Sequence, residues 1–351
     1  MKQHKRQNLP FVLYRKPNSK TIIGVFQEND HVYFSENSSE RGFVFAPFQN
    51  DGSIVFPLEF SEINFGTFKK SKEKAVKQRK IKFSQTDKNH FIHLVEKAVA
   101  TINKGVLNKV VVSRTETVLI KNFKYKKTFD KLLQHYSTAF CYYWFHPKVG
   151  TWMGATPEKL LQTTQNNFAT MALAGTQKYN QIENINWEQK EIVEQEIVTQ
   201  FIVQKLQDIT SQVTISEPYT AQAGNIMHLK TDIEGVLNDE VSLQKILDIL
   251  QPTPAVCGLP KEEAKQFITE NEGYNREFYT GFLGELNFDF NKNEEASDLF
   301  VNLRCMKISE SIDDEKNKIK IFMGCGITKD SNPEAEWEET VHKSKTIKNI
   351  L

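Results

Sequence analysis

The chain has 351 residues, 39% of them hydrophobic, and its 45 Lys and Arg against 44 Asp and Glu leave a net charge of +1. That balance argues against a dedicated nucleic-acid or membrane-surface protein, which carries a basic excess, and no apolar run approaches the ~18 residues of a membrane span. The length fits about two average domains or one large α/β domain, either of which buries enough apolar surface to fold without a disulfide or structural zinc. Met1-Lys2-Gln3-His4-Lys5-Arg6 is basic but lacks the apolar stretch of a signal peptide. Cys141, Cys257, Cys305 and Cys325 lie far apart with no CxxC, so a reducing cytoplasm is expected.

From the N-terminus, 11–14, 22–26, 31–34 and 42–45 read as short strands separated by turn residues such as Asn29-Asp30 and Asp51-Gly52. Residues 69–82 are a basic run, open to reading as a solvated linker or as an acidic-partner patch; the lack of interleaved aromatics after Phe68 favours the linker. An amphipathic helix is predicted over 88–104, with Thr86 or Asp87 as N-cap and Gly105 as its stop. A strand at 109–114, a helix near 129–136 and an apolar stretch at 140–145 follow. The longest helical pattern is 187–207, and further helices are predicted at 239–250 and 261–270. The C-terminal third reads as strands at 278–290, 299–308 and 319–323, then a helix over 333–345 with Ser331 as cap. Strands and helices do not alternate one for one, which predicts an α+β fold with large antiparallel sheets.

Several motif readings fail. Gly324-Cys325-Gly326 follows a strand, but Lys329 stands where a dinucleotide fingerprint needs its third glycine. Neither GxxxxGK[ST] nor HExxH occurs. Glu339 and His342 match the ExxH of di-iron bundles, but the other match, Glu28 and His31, falls in a predicted turn.

Three constellations remain. Glu191 and Glu194 are three apart on one predicted helix, and Glu336 and Glu339 on another, which puts each pair on one face. Two such faces turned together make an oxygen-lined pocket for a hard cation, most readily Mg²⁺; spacing alone favours ordinary solvated faces. Lys109 opens an apolar strand, where burial lowers an amine pKa toward that of a usable base. Glu158 sits in the turn Gly154-Ala155-Thr156-Pro157-Glu158, where a carboxyl can be kept protonated as an acid; both residues are also common surface charges. Ala174-Gly175-Thr176 and Gly324-Cys325-Gly326 bring backbone N–H groups close to any anion, or are ordinary turns. Arg304, inside an apolar run, calls for a carboxylate of the protein or of a ligand.

Taken in order, these segments resemble the chorismate-utilising enzymes, which include isochorismate, salicylate, anthranilate and aminodeoxychorismate synthases. The matching stretches are Lys109 to Arg114, Gly154 to Glu158, Ala172 to Thr176, Lys190 to Glu194, His228-Leu229 and Pro252 to Pro260. Arg276 to Gly281, Leu303 to Cys305, Gly324 to Ile327 and Glu336 to Lys343 complete the collinear set, which spans 90–345. Residues 1–85 match poorly and are expected to be a variable, strand-rich part of the same domain as the catalytic region 86–351.

The resemblance implies a chorismate-binding fold of large antiparallel sheets surrounded by helices, with Mg²⁺ bridging protein and the ring carboxylate of chorismate. It implies Glu194 and Glu339 as direct metal ligands, with Glu191 and Glu336 nearby or acting through water. Arg304 and Tyr279 are implied contacts to the enolpyruvyl carboxylate. The backbone at Gly175, Thr176, Gly324 and Gly326, and the Lys343 side chain, are further implied substrate contacts, and His228 matches a histidine beside the ring. Gln195 replaces the family's usual histidine and is expected to support the metal ligand by a hydrogen bond. Lys109 as base and Glu158 as acid fit water addition at C2 with loss of the C4 hydroxyl. Ala174 stands where aminodeoxychorismate synthases carry lysine, and Ala255 where salicylate synthases usually carry threonine. The resemblance thus implies a cytoplasmic isochorismate synthase serving menaquinone or siderophore biosynthesis, binding neither nucleic acid nor membrane, and monomeric as the family often is. Salicylate synthase and a non-catalytic chorismate-fold binding protein are the alternatives.

Overall fold

Runs of β-branched and aromatic residues at short intervals commit most of this chain to strands. The computed structural model describes residues 1–49, 52–70, 84–178, 186–223, 226–310 and 316–351, so the basic run at 69–82 lies almost wholly outside them. Helix α1 (Lys2–Arg6) precedes strands β1 (Phe11–Arg15), β2 (Thr21–Gln27), β3 (Tyr33–Ser35), β4 (Gly42–Ala46), β5 (Ser53–Pro57) and β6 (Ser61–Thr67). Then come α2 (Gln85–Asn103), β7 (Lys109–Lys121), α3 (Tyr125–His135), β8 (Phe140–His146), β9 (Gly150–Thr156), β10 (Lys159–Thr164) and β11 (Asn167–Lys178). The middle holds α4 (Gln189–Leu206), β12 (Thr210–Ile215), β13 (Tyr219–Ala223), β14 (Ile226–Leu237), α5 (Leu243–Leu250), β15 (Gly258–Leu259) and α6 (Lys261–Asn271). The chain closes with β16 (Phe282–Leu286), β17 (Ala296–Val301), β18 (Cys305–Glu310), β19 (Lys316–Ile327) and α7 (Pro333–Lys348).

Local expectations fail where side chains find other partners. α2 starts after Ser84 rather than at Thr86 or Asp87. Asn332, not Ser331, caps α7: its Oδ1 accepts from Ala335 N at 3.1 Å, with Pro333 in the first turn. The Ser331 hydroxyl instead accepts from Thr328 N. The run 299–308 is two strands, because the chain leaves one sheet after Val301 and enters the other at Cys305. Likewise only 282–286 of the run 278–290 is strand.

All strand pairings are antiparallel among the described residues. One sheet runs β15-β7-β19-β18-β9-β8-β1-β2-β6. The other runs β12-β14-β11-β10-β17-β16-β4-β5-β3, with β13 added to β14. The two pack face to face over an aromatic core in which Phe45, Trp144, Trp152 and Phe278 meet at ring distances of 4.2 to 6.1 Å. Helices α4 and α5 cover the outer face of the second sheet. Helices α2, α6 and α7 cover one part of the first sheet, and α3 another. The N-terminal strands are integral to both sheets: β1 pairs with β8, and β4 with β16. Among the described residues no helix is long and apolar enough to cross a membrane.

Arg276 fastens the segment before β16 to this frame. It is 2% exposed, donates through Nη2 to Val111 O and through Nη1 to Val256 O, and grips Glu272 at both carboxylate oxygens. Glu272 also accepts from Ser113 N and Oγ. Removing one partner of a buried pair leaves an uncompensated charge. Arg276→Met should therefore cost about 3–5 kcal/mol of folding stability, read as a lower urea midpoint with the slope retained.

Candidate functional site

The site forms where the chain crosses between the sheets. One crossing, Pro157-Glu158, joins β9 in the first sheet to β10 in the second; the other, residues 302–304, joins β17 in the second to β18 in the first. They run side by side and are bonded together: Ala155 N donates to Arg304 O, Thr156 Oγ1 to Val301 O, and Val301 N to Glu158 O. A non-glycine residue at positive φ is uncommon, yet Arg304 (φ 48°) and Thr280 (φ 64°) both adopt it here. Asn302 locks the two turns, accepting from Tyr142 Oη at 2.6 Å and donating through Nδ2 to Phe278 O at 2.8 Å.

The crossings place Glu158 and Arg304 on a small cavity of about 60 Å³. Gly175, Glu194, His228, Ala255, Tyr279, Gly324, Gly326 and Lys343 line the same cavity. Lys109 lies against its floor, for a Cβ on Gly326 would sit 3.1 Å from Lys109 Cε. Glu158 is 4% exposed, and burial pushes its pKa up to about 8 against the pull of Lys109, Lys343 and Arg304. It therefore carries a proton at neutral pH. Lys109 is fully buried, but an apolar strand is not its whole environment: Nζ lies 3.0 Å from Glu194 Oε1.

Arg304 has no carboxylate within ion-pair distance among the described residues. Its Nη2 lies 3.3 Å from His228 Nε2, while His228 Nδ1 bonds Gly175 O at 2.8 Å. Burial, with Arg304 and Lys343 alongside, takes the His228 pKa down to about 3, so the ring is neutral. A neutral ring that donates from Nδ1 to a carbonyl keeps Nε2 as an acceptor for Arg304. Tyr279 is buried and stacks on Phe322, with its hydroxyl facing Gly324. Of the two readings left open for Arg304, a ligand carboxylate is the one this arrangement supports.

The glycines are needed for close approach. Gly175 (φ +68°) sits where the β11–β14 register shifts, which frees backbone from the ladder beside the cavity. The Thr176 side chain lies outside the described set. A Cβ on Gly326 would sit 2.0 Å from Glu194 Oε1, so only glycine lets α4 bring that carboxylate onto β19. Lys343 Nζ donates to Gly324 O at 3.0 Å and pairs with Glu339 at 2.5 Å.

The acidic helices face each other only in part. Glu336 and Glu339 of α7, with Glu191 of α4, line a wider cavity of about 1300 Å³ on the outer side. Glu191, however, turns back to its own helix: its carboxylate accepts from Glu188 N at 3.0 Å in a capping box. Among the described residues, no three His, Cys, Asp or Glu side chains converge as a ready-made ligand cluster. Instead a cation of the chain stands among the carboxylates. Lys190 Nζ contacts Glu336 Oε1; burial works against its charge, but Glu336, Glu339 and Glu194 hold its pKa above the ordinary lysine value. Burial also opposes the charge of Glu194, and Lys109, Lys190 and Lys343 overcome it and lower that pKa. Glu336 and Glu339 are hard oxygen donors of the kind that suits Mg²⁺, and each meets a lysine ammonium here.

Two parts of the site differ from the sequence expectation. Gln195 gives no support to Glu194: its amide donates to Thr199 Oγ1 and Thr231 Oγ1, because successive helix residues face different directions. Lys190 was given no role, although a lysine directly before an acidic pair was a signal that could have found it.

The description "Chorismate binding enzyme" covers the family whose sequence pattern matches residues 58–351. Isochorismate synthase MenF of Escherichia coli (strain K12) is 30% identical over 278 residues, 76% of this chain and 61% of that protein. Isochorismate synthase EntC of the same strain is 31% identical over 211 residues, 58% of this chain and 51% of its own. The chain thus spans about half to six-tenths of the length of these curated relatives. The solved structure of E. coli MenF superposes with a TM-score of 0.79 at 23% identity, covering 97% of this chain and 88% of that one. Anthranilate synthase component I of Streptococcus pneumoniae shares the fold at a TM-score of 0.68 and 16% identity, covering 97% of this chain and 92% of that one. A pattern match over most of the chain shows that the chain belongs to the chorismate binding enzyme family.

Proposed function

We propose that this chain is an isochorismate synthase that converts chorismate to isochorismate with Mg²⁺ in the cytoplasm, where its four free, buried cysteines stay reduced. The observation that carries this reading is a buried carboxyl, protonated at neutral pH, on one cavity with Arg304 and Lys343, with the buried Lys109 against Gly326 of that cavity's wall. Lys109 is the base that takes a proton from water as its oxygen bonds ring C2. Glu158 gives its proton to the C4 oxygen as that C–O bond breaks, so water leaves and the formula is unchanged. Arg304 and Tyr279 hold the enolpyruvyl carboxylate, and Lys343 with the backbone at Gly175, Thr176, Gly324 and Gly326 holds the rest. Glu194 and Glu339 hold Mg²⁺, with Glu336 beside them, and the ion supplies charge neutralisation for the ring carboxylate. Ala255 offers a methyl group and no hydroxyl at the cavity wall, which favours release of isochorismate over elimination of pyruvate.

Chorismate and Mg²⁺ incubated with purified protein should give isochorismate as the main product by chromatography. Salicylate plus pyruvate, or no turnover, would overturn the assignment. Excess EDTA should abolish turnover, and Glu339→Gln should raise the Mg²⁺ concentration needed for half-maximal rate.

The acid role has a pH signature. The pKa of Glu158 is raised in the folded protein, so its proton is present below about pH 8 and lost above it. Turnover should fall as pH rises through about 8. Glu158→Gln and Lys109→Ala should each lower kcat by about 10²–10⁴-fold, or about 3–5 kcal/mol of barrier. Chorismate binding, measured calorimetrically with Mg²⁺ present, should change far less. The raised pKa also means that stability falls as pH climbs from the unfolded value through about 8, and Glu158→Gln should remove that loss.

A further inference from the structure

Lys190 sits in the first turn of α4, and its side chain is 25% exposed. The Glu336 carboxylate it meets is 1% exposed, and the other oxygen, Oε2, is buried without a hydrogen-bond partner among the described residues. Glu336 is thus a buried carboxyl group whose partner is a long, flexible side chain anchored on another helix. Both residues line the wide cavity of about 1300 Å³, which also reaches Glu339 of α7. Glu194 is paired with Lys109 and Glu339 with Lys343, so Lys190 is the cation that meets Glu336, and its charge repels a second cation at short range.

We propose that Lys190 is a built-in counter-ion that competes with the divalent cation for the carboxylates of α4 and α7, setting cation affinity below what those carboxylates alone would give. This rests on the reading that those helices hold Mg²⁺. Entry of the ion requires the ammonium to leave Glu336, and the four-carbon stem of lysine lets it swing into the open cavity. The competition makes the site reversible: the acidic cluster stays neutralised without metal, and the metal is not trapped.

The test is titration of Mg²⁺ into the full chain without substrate, by calorimetry and by thermal unfolding. Lys190→Gln should bind Mg²⁺ about tenfold or more tightly than wild type. Its metal-free melting temperature should be lower, and its Mg²⁺-induced rise larger. Lys190→Arg, which keeps the charge, should stay within about threefold of wild type. If Lys190→Gln fails to fold without metal, protein prepared in Mg²⁺ is titrated with EDTA, and the variant should lose its ion at a higher chelator concentration than wild type. Equal or weaker Mg²⁺ binding by Lys190→Gln overturns the competition while leaving the metal reading intact. No Mg²⁺ response in wild type or in either variant overturns both.

Discussion

Two strand crossings bonded to each other hold the site together. A chain passing from one sheet to the other interrupts its ladder, and the backbone groups it frees must be satisfied elsewhere. Here the crossings satisfy each other, through Ala155 N to Arg304 O, Thr156 Oγ1 to Val301 O and Val301 N to Glu158 O. The strands on either side pair as well, Gly154 opposite Cys305 in one sheet and Lys159 opposite Phe300 in the other. Sheet pairing therefore fixes both crossings from both ends. Glu158 and Arg304 come to the same cavity because neither crossing can shift without breaking register in two sheets.

That rigidity makes the electrostatics possible. Burying charge in a protein interior is costly unless it is paired, and this small cavity collects Lys343, Arg304, Glu158 and Glu194, with Lys109 paired to Glu194 beside it. The groups divide into distinct states. Glu194 keeps its charge because ammonium groups surround it, Glu158 keeps its proton because burial outweighs them, and His228 stays neutral beside a guanidinium. Two carboxyl groups of similar intrinsic acidity are driven apart by position alone.

On the outer side the acidic helices follow another logic. Glu191 serves its own helix cap, and Glu336 is covered by Lys190. Equal spacing in the sequence thus conceals unequal roles, since i, i+3 spacing says that two carboxylates share a face but not what that face meets. The same limit applies to Gln195, whose amide goes to Thr199 on its own helix and Thr231 on β14.

The sequence by itself determined the antiparallel α+β class, most element positions and the residue types of the cavity, because periodicity, turn chemistry and ordered motifs are local properties. Lys109, Glu158, Arg304 and the glycines at 175, 324 and 326 were legible there as candidates. Only the tertiary structure decided that 299–308 is two strands in different sheets, that Glu194 faces Lys109 across Gly326, that Arg304 leans on a neutral histidine, and that Lys190 occupies the acidic cluster. Each of these depends on groups tens to hundreds of residues apart, brought together by sheet register and helix packing. Burial and charge pairing set their chemistry, and neither is encoded in any one segment of the chain.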